Sequence, residues 1–421
     1  MSSTSTRLRR FVGVAVVAAV AAGALAVGAA DAGATRSVRG FDGTTIKVAS
    51  LGIKSQFGAV DVGAEARIQR FNADNEIKGV KLDYVEYADD KQDPATALSE
   101  GRRLVTQDQV FAIVGDVSQF NPVDYFKQQQ VPFFGFAFDS GYCSTKPDTS
   151  LWGFGYNGCL VNPAPSVVPD QGANPYTYVS KTTGKKSPTL ALFSNDTDSG
   201  KNSVKFQSIA YSKAGFDVVA KQNQMPAPPV SDYTPYAQAL LTADNGKAPD
   251  SIVCLLSTDC IQVWNLLQAS GYKGVYFSSL YSDILVKAMN GSVANTLFVP
   301  TDQDTPGMNQ LKQDVDAVKA GSSTKVDTGM VAGYASTDMF IQALKTVAKK
   351  GKSNITPAAV QKAAMNQTWQ IKGLAGPTTY PNATVASYQA CSAEVLSDGT
   401  KWSQVVPYTC SKTQYPVKGA K

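Results

Sequence analysis

Apolar and polar positions along the 421 residues fall into two alternating rhythms. Short continuous apolar runs read as buried strands, and apolar positions at i, i+3 and i+4 read as amphipathic helices. The first unit sets the plan. Residues 46–51 form an apolar strand, and Gly52, Lys54, Ser55, Gln56, Phe57 and Gly58 form a polar turn. Val62, Ala66, Ile68 and Phe71 then mark one face of a helix. In an open α/β sheet, ligands meet the crevice beyond the carboxyl ends of the strands, which puts Ser55, Gln56 and Phe57 at a candidate site. The unit then repeats. Residues 80–87 alternate Val80, Leu82 and Tyr84 with Lys81 and Asp83, as an edge strand does. Asp93 and Pro94 read as N-cap and first helical residue, and so do Asn121 and Pro122. The runs 110–115 and 131–135 predict buried parallel strands, followed by loops at 116–120 and 136–140.

The rhythm breaks between 141 and 186, where Pro, Gly and Asn are frequent, and this predicts a crossover. A second α/β series follows, with strands at 189–193, 216–220, 252–256 and 275–277. Its helices cover 201–213 and start near Asp232, Thr258 and Tyr281. Residues 296–299 read as a return strand, and helices are predicted at 310–319, 330–350 and 357–365. The tail reads as a hairpin around Ser397, Asp398 and Gly399.

Length favours two domains over one core. Charge adds little: the net value is +5, too mild to give a reason to expect nucleic acid. Arg7, Arg9 and Arg10 precede an uncharged apolar stretch, 11–30, ending in small residues, as in a secretory signal peptide. Cleavage is expected near Ala30 to Ala34, giving residues 1–34 as the leader; an uncleaved anchor is the competing reading. Cleavage after Ala34 leaves 36 basic against 33 acidic residues, or +3. Six cysteines in an exported chain predict disulfides, and proximity pairs Cys143 with Cys159, Cys254 with Cys260, and Cys391 with Cys410. The chain has no His, which excludes Ser-His-Asp and Cys-His nucleophile systems and His-ligated metals. No metal site and no cofactor are expected. Gly153, Gly155 and Gly158 match a dinucleotide fingerprint, but Pro163 and Pro165 follow where a helix would be needed.

The order of these elements resembles the type I periplasmic binding proteins, above all the branched-chain amino-acid (Leu/Ile/Val) binding proteins of ABC transporters. Four stretches carry the resemblance: 46–58, 86–97, 112–119 with 131–137, and 194–200. It implies an α/β fold of two doubly wound Rossmann-like lobes joined by a three-strand hinge. The lobes are expected at 45–152 with 303–378 and at 153–302 with 379–421. It also implies a monomer that delivers a small-molecule ligand to permease and ATPase subunits. In the family's pattern, Ser118 and Gln119 meet a ligand carboxylate, helped by the helix expected at Asn121. Ala137, Phe138 and Asp139 meet an amino group. Phe57, Phe138 and Tyr281 surround an apolar body, and Asp198, Ser199 and Thr258 complete the second lobe's side. Two departures bear on the ligand. Ser199 stands where the family often has an aromatic residue. Ser278, Ser279, Leu280 and Tyr281 carry no acid where the ammonium is usually paired. A larger apolar or aromatic acid, or an amide, is therefore the alternative ligand.

Plainer roles compete with these. Phe57, Phe120, Phe138 and Tyr281 are each as suited to covering a lobe as to lining a pocket. Ser118 also suits helix capping, and Asp139 suits a turn beside Ser140 and Gly141. A ligand-sensing receptor domain is a third class of function. An enzyme using Asp196 and Asp198 is a fourth, but it lacks a nucleophile–base pair.

Overall fold

A computed structural model describes residues 38–417, except 138, 144–149, 161, 163–164, 227–229, 256–258, 280 and 381–389, and except the side chains of 198, 199 and 283. The expected leader lies outside the described residues. Residues 38 onward form one compact unit.

The first lobe opens with β1 (Thr45–Gly52), α1 (Val60–Ala73), β2 (Lys81–Asp89) and α2 (Pro94–Thr106). It continues with β3 (Ala112–Asp116), α3 (Val123–Gln128), β4 (Phe133–Gly135) and β5 (Gly153–Gly155). All neighbouring strands pair in parallel, in the order β2-β1-β3-β4-β5. One edge strand is β2, whose apolar and polar residues alternate, and the other is β5. Asp93 caps α2, accepting from the Thr96 N–H at 2.7 Å with Pro94 at the first position. The glycines of the apparent dinucleotide fingerprint begin in β5, which pairs with β4. The first sheet therefore extends to Gly155, past the boundary expected at 152.

The chain then runs through β6 (Val167–Pro169), α4 (Ala173–Thr183), β7 (Thr189–Asn195), α5 (Asp198–Ala214), β8 (Asp217–Met225) and α6 (Thr234–Leu241). It goes on to β9 (Ser251–Cys254), α7 (Asp259–Ala269), β10 (Val275–Ser278) and β11 (Val293–Thr296). Strand order β8-β7-β9-β10-β11 repeats the first lobe's order, again parallel. In place of the helix expected at Tyr281, the segment Asp283–Leu285 is a single 3₁₀ turn.

Three helices, α8 (Pro306–Val318), α9 (Thr328–Ala348) and α10 (Pro357–Ala364), return to the first lobe, followed by the small ribbon β12 (Thr368–Ile371) and β13 (Ala375–Thr379). Sixteen residues of α9 are buried, as a helix apolar all round requires. The predicted tail hairpin is β14 (Ala390–Ser397) and β15 (Trp402–Ser411), added antiparallel to β11. A last short strand, β16 (Gln414–Pro416), pairs with β6. The chain thus passes between the lobes after β5, after β11 and after β13. All three expected disulfides are present: Cys143–Cys159, Cys254–Cys260 and Cys391–Cys410.

Candidate functional site

Residues that follow β9, β10 and β11 of the second sheet meet Phe136, which follows β4 of the first, at one cavity. On the first lobe, the loop after β4 carries Phe136, and the loop after β1 packs against it through Phe57. Phe57 is buried, and its ring lies 6.3 Å from that of Phe136, which lies 5.9 Å from Tyr156. Ser55 is exposed and Gln56 half-buried. The Gln56 Oε1 is buried with no hydrogen-bond partner among the described residues.

The loop after β3 differs from expectation. Ser118 is fully buried, and its hydroxyl donates to Asp90 Oδ2 at 2.5 Å while accepting the Phe120 N–H at 3.0 Å. Asn121 does not cap a helix with its side chain. Its N–H donates to Asp139 Oδ2 at 3.1 Å, and α3 begins only at Val123. Asp139 takes the turn role, accepting the Gly141 N–H at 2.5 Å. Asp116 accepts the Ser118 N–H at 3.0 Å and the Tyr142 hydroxyl at 2.7 Å. Three carboxyl groups are thus held by hydroxyl and backbone donors, not by Lys or Arg. Burial raises Asp90, pushes Asp116 well above its ordinary value and Asp139 up to about 6. Gln119 is half-buried, Ala137 is buried, and the Ala137 N–H donates to Asn157 Oδ1 at 3.1 Å. Phe138 lies outside the described residues.

On the second lobe, a cavity of about 90 Å³ opens at the ends of β9, β10 and β11. Leu255, Phe277 and Phe298 supply apolar walls, and Phe136 closes it from the first lobe. Ser203, Gln207 and Tyr211 line it from α5, and Asn295 from β11. No Lys, Arg, Asp or Glu lines it among the described residues. A smaller space continues from it, sharing Leu160, Gln171, Ser203 and Gln207. Tyr281 is buried beside it, its ring 5.6 Å from both Phe298 and Trp402 and its hydroxyl 2.6 Å from Thr301 Oγ1. Asp198 and Ser199 open α5 behind the N-cap Thr197, but their side chains lie outside the described residues, as does all of Thr258. Gln207, Tyr211 and Asn295 were not legible as site residues. Their signal is present: Ser203, Gln207 and Tyr211 recur every four residues, which puts them on one helix face.

The described residues contain no group of three His, Cys, Asp or Glu placed to hold a metal ion, and no helix long and apolar enough to cross a membrane.

A family model described as periplasmic binding protein matches residues 45–400. No curated protein matches the chain by sequence. Among solved structures, a branched-chain amino acid transporter substrate binding protein from Streptococcus pneumoniae, in complex with isoleucine, is 18% identical with a TM-score of 0.64, covering 87% of this chain and 100% of that one. A solute binding protein of an ABC transporter from R. palustris, in complex with 4-hydroxybenzoate, is 16% identical with a TM-score of 0.67, covering 88% and 98%. A fatty acid ABC transporter substrate-binding protein from Thermomonospora curvata is 16% identical with a TM-score of 0.67, covering 89% and 95%.

Proposed function

We propose that this chain, which belongs to the periplasmic binding protein family, is the extracytoplasmic solute-binding component of an ABC importer. It captures a small molecule between its lobes by hinge closure and presents it to permease and ATPase subunits. The chemistry is capture, not turnover. The observation that carries this reading is the cavity where the strand ends of the second sheet face Phe136 of the first lobe. Phe57, Gln56 and Gln119 remain the first lobe's candidates for ligand contact, with Ser55 at the rim. Asp90, Asp116 and Asp139 act by holding the loops in place.

Branched-chain amino acids are one ligand class, by likeness of fold to the isoleucine-bound protein. The uncharged lining favours a second class, a ligand with an apolar body and neutral polar groups toward the second lobe. An ammonium brought into that cavity would lose water without gaining a countercharge there. Titration calorimetry with leucine, isoleucine, valine, 4-hydroxybenzoate and decanoate, paired with small-angle scattering, tests the reading. At least one of these should bind and reduce the radius of gyration. Binding without compaction, chemical conversion of the bound molecule, or binding by none of the five would overturn it.

A further inference from the structure

One polar residue of the cavity wall has a buried support. Asn295 of β11 lies directly opposite Glu394 of β14 in the antiparallel pairing. Its Nδ2 donates to Glu394 Oε1 at 2.7 Å. Glu394 is fully buried, and its Oε2 has no hydrogen-bond partner among the described residues. Glu394 itself does not line the cavity; Asn295 and Tyr211 do. Burial, and after it Glu394, push the Tyr211 phenol up. The helix α4 covers the same strand, with Asn174 Nδ2 donating to the Ser392 carbonyl at 2.7 Å.

An amide side chain has a donor end and an acceptor end. With Nδ2 turned to the carboxyl group, Oδ1 is the end left for the cavity. A carbonyl oxygen there accepts and cannot donate.

We propose that Asn295 determines specificity in the second lobe's half of the cavity, with Glu394 as its positioning residue, and that the ligand presents an uncharged hydrogen-bond donor, a hydroxyl or amide N–H, to Asn295 Oδ1. This rests on the reading of the cavity as the ligand site. A carboxylate at this point would meet an acceptor. Among the described residues an ammonium would find no charged side chain lining the cavity, and burial favours the neutral form of Glu394. A ligand with only methyl or carbonyl groups there would leave Oδ1 dry and unpaired, which is costly.

The experiment measures two probe pairs by calorimetry: 4-hydroxybenzoate against benzoate, and 4-hydroxyacetophenone against acetophenone. Each pair differs by one hydroxyl donor. In the unaltered protein the hydroxylated member should bind about tenfold more tightly, the size of one well-made hydrogen bond. In N295L the ratio should fall to about one, because the acceptor is gone. In E394L it should fall below about threefold, since no acceptor then fixes the orientation of the Asn295 amide. A merely structural role for the pair would lower the melting temperature and leave the ratio where it was. An unchanged ratio in both variants would overturn the inference and leave the cavity reading standing. So would binding of leucine or decanoate with none of the four aromatic probes. Binding by none of these compounds would overturn the cavity reading itself.

Discussion

Gly63 of α1 and Gly333 of α9 bring two helix backbones into direct contact. A Cβ on Gly333 would lie 2.0 Å from the Val60 carbonyl oxygen, and one on Gly63 would lie 1.9 Å from that of Met330. Neither obstacle is a side chain that can swing away. Gly333→Ala should therefore cost at least ~2 kcal/mol by forcing the helices apart, even though alanine is the better helix former. Urea unfolding measures it, and a midpoint at or above that of the parent protein would refute the packing described.

Arg67, also on α1, is the second tie to α9. Its Nε donates to Asp338 Oδ2 at 2.6 Å, and its two terminal nitrogens reach Glu76 at 2.7 and 3.1 Å. Asp338 also accepts the Trp369 indole N–H at 2.9 Å. Among the described residues, Arg67→Leu leaves Asp338 without a cationic partner and Glu76 with Lys345 alone, at 2.9 Å, so a loss of roughly 3 kcal/mol is expected. Restoring neutrality with Asp338→Asn in the same chain should recover part of the loss. Double-mutant unfolding measurements that came out strictly additive would argue against the network.

The three disulfides should appear as local pairs in non-reducing peptide mapping. Replacing Cys254 and Cys260 together by Ala opens a loop with a sequence separation of 6. By the loop-entropy argument this costs about 2 kcal/mol. Chemical denaturation of the double variant checks the figure, and a stability unchanged from the parent would contradict it.

Asp139 gives the fold a pH dependence of defined sign. Burial raises its folded-state value from 3.8 to about 6. Between these values the folded protein binds the proton more tightly than the unfolded chain does, so this group's contribution falls as pH rises from about 4 to 6. Asp139→Asn lacks that slope. The melting-temperature advantage of the parent over Asp139→Asn should therefore shrink from pH 4 to pH 7. An advantage that grew over this range would reverse the assignment.

Much of the architecture was legible because it is written locally. The apolar runs at 46–51 and 110–115, the cap at Asp93 and Pro94, and the tail hairpin all depend on residues within one element or its turn. The disulfides followed the same logic of short separations. Asn121 and Pro122 show where local logic stops. The dipeptide has the look of a cap, but the Asn121 N–H is taken by Asp139, 18 residues away in sequence, and the helix starts later and stays short. Ser118 likewise turned inward to Asp90. A hydroxyl's direction is set by whichever acceptor the fold brings near, and no periodicity records that.

By itself the sequence determined the class of the fold, the strand–loop–helix order and the cysteine pairs, because periodicity, capping and chain proximity act over a few residues; the family came by resemblance. Only the tertiary structure decided which polar groups are spent inside the protein and which line the cavity. Asn295 and Glu394 meet across 99 residues of chain through the register of β11 and β14. Register is a property of two strands brought together by the whole fold, and neither strand's own sequence contains it.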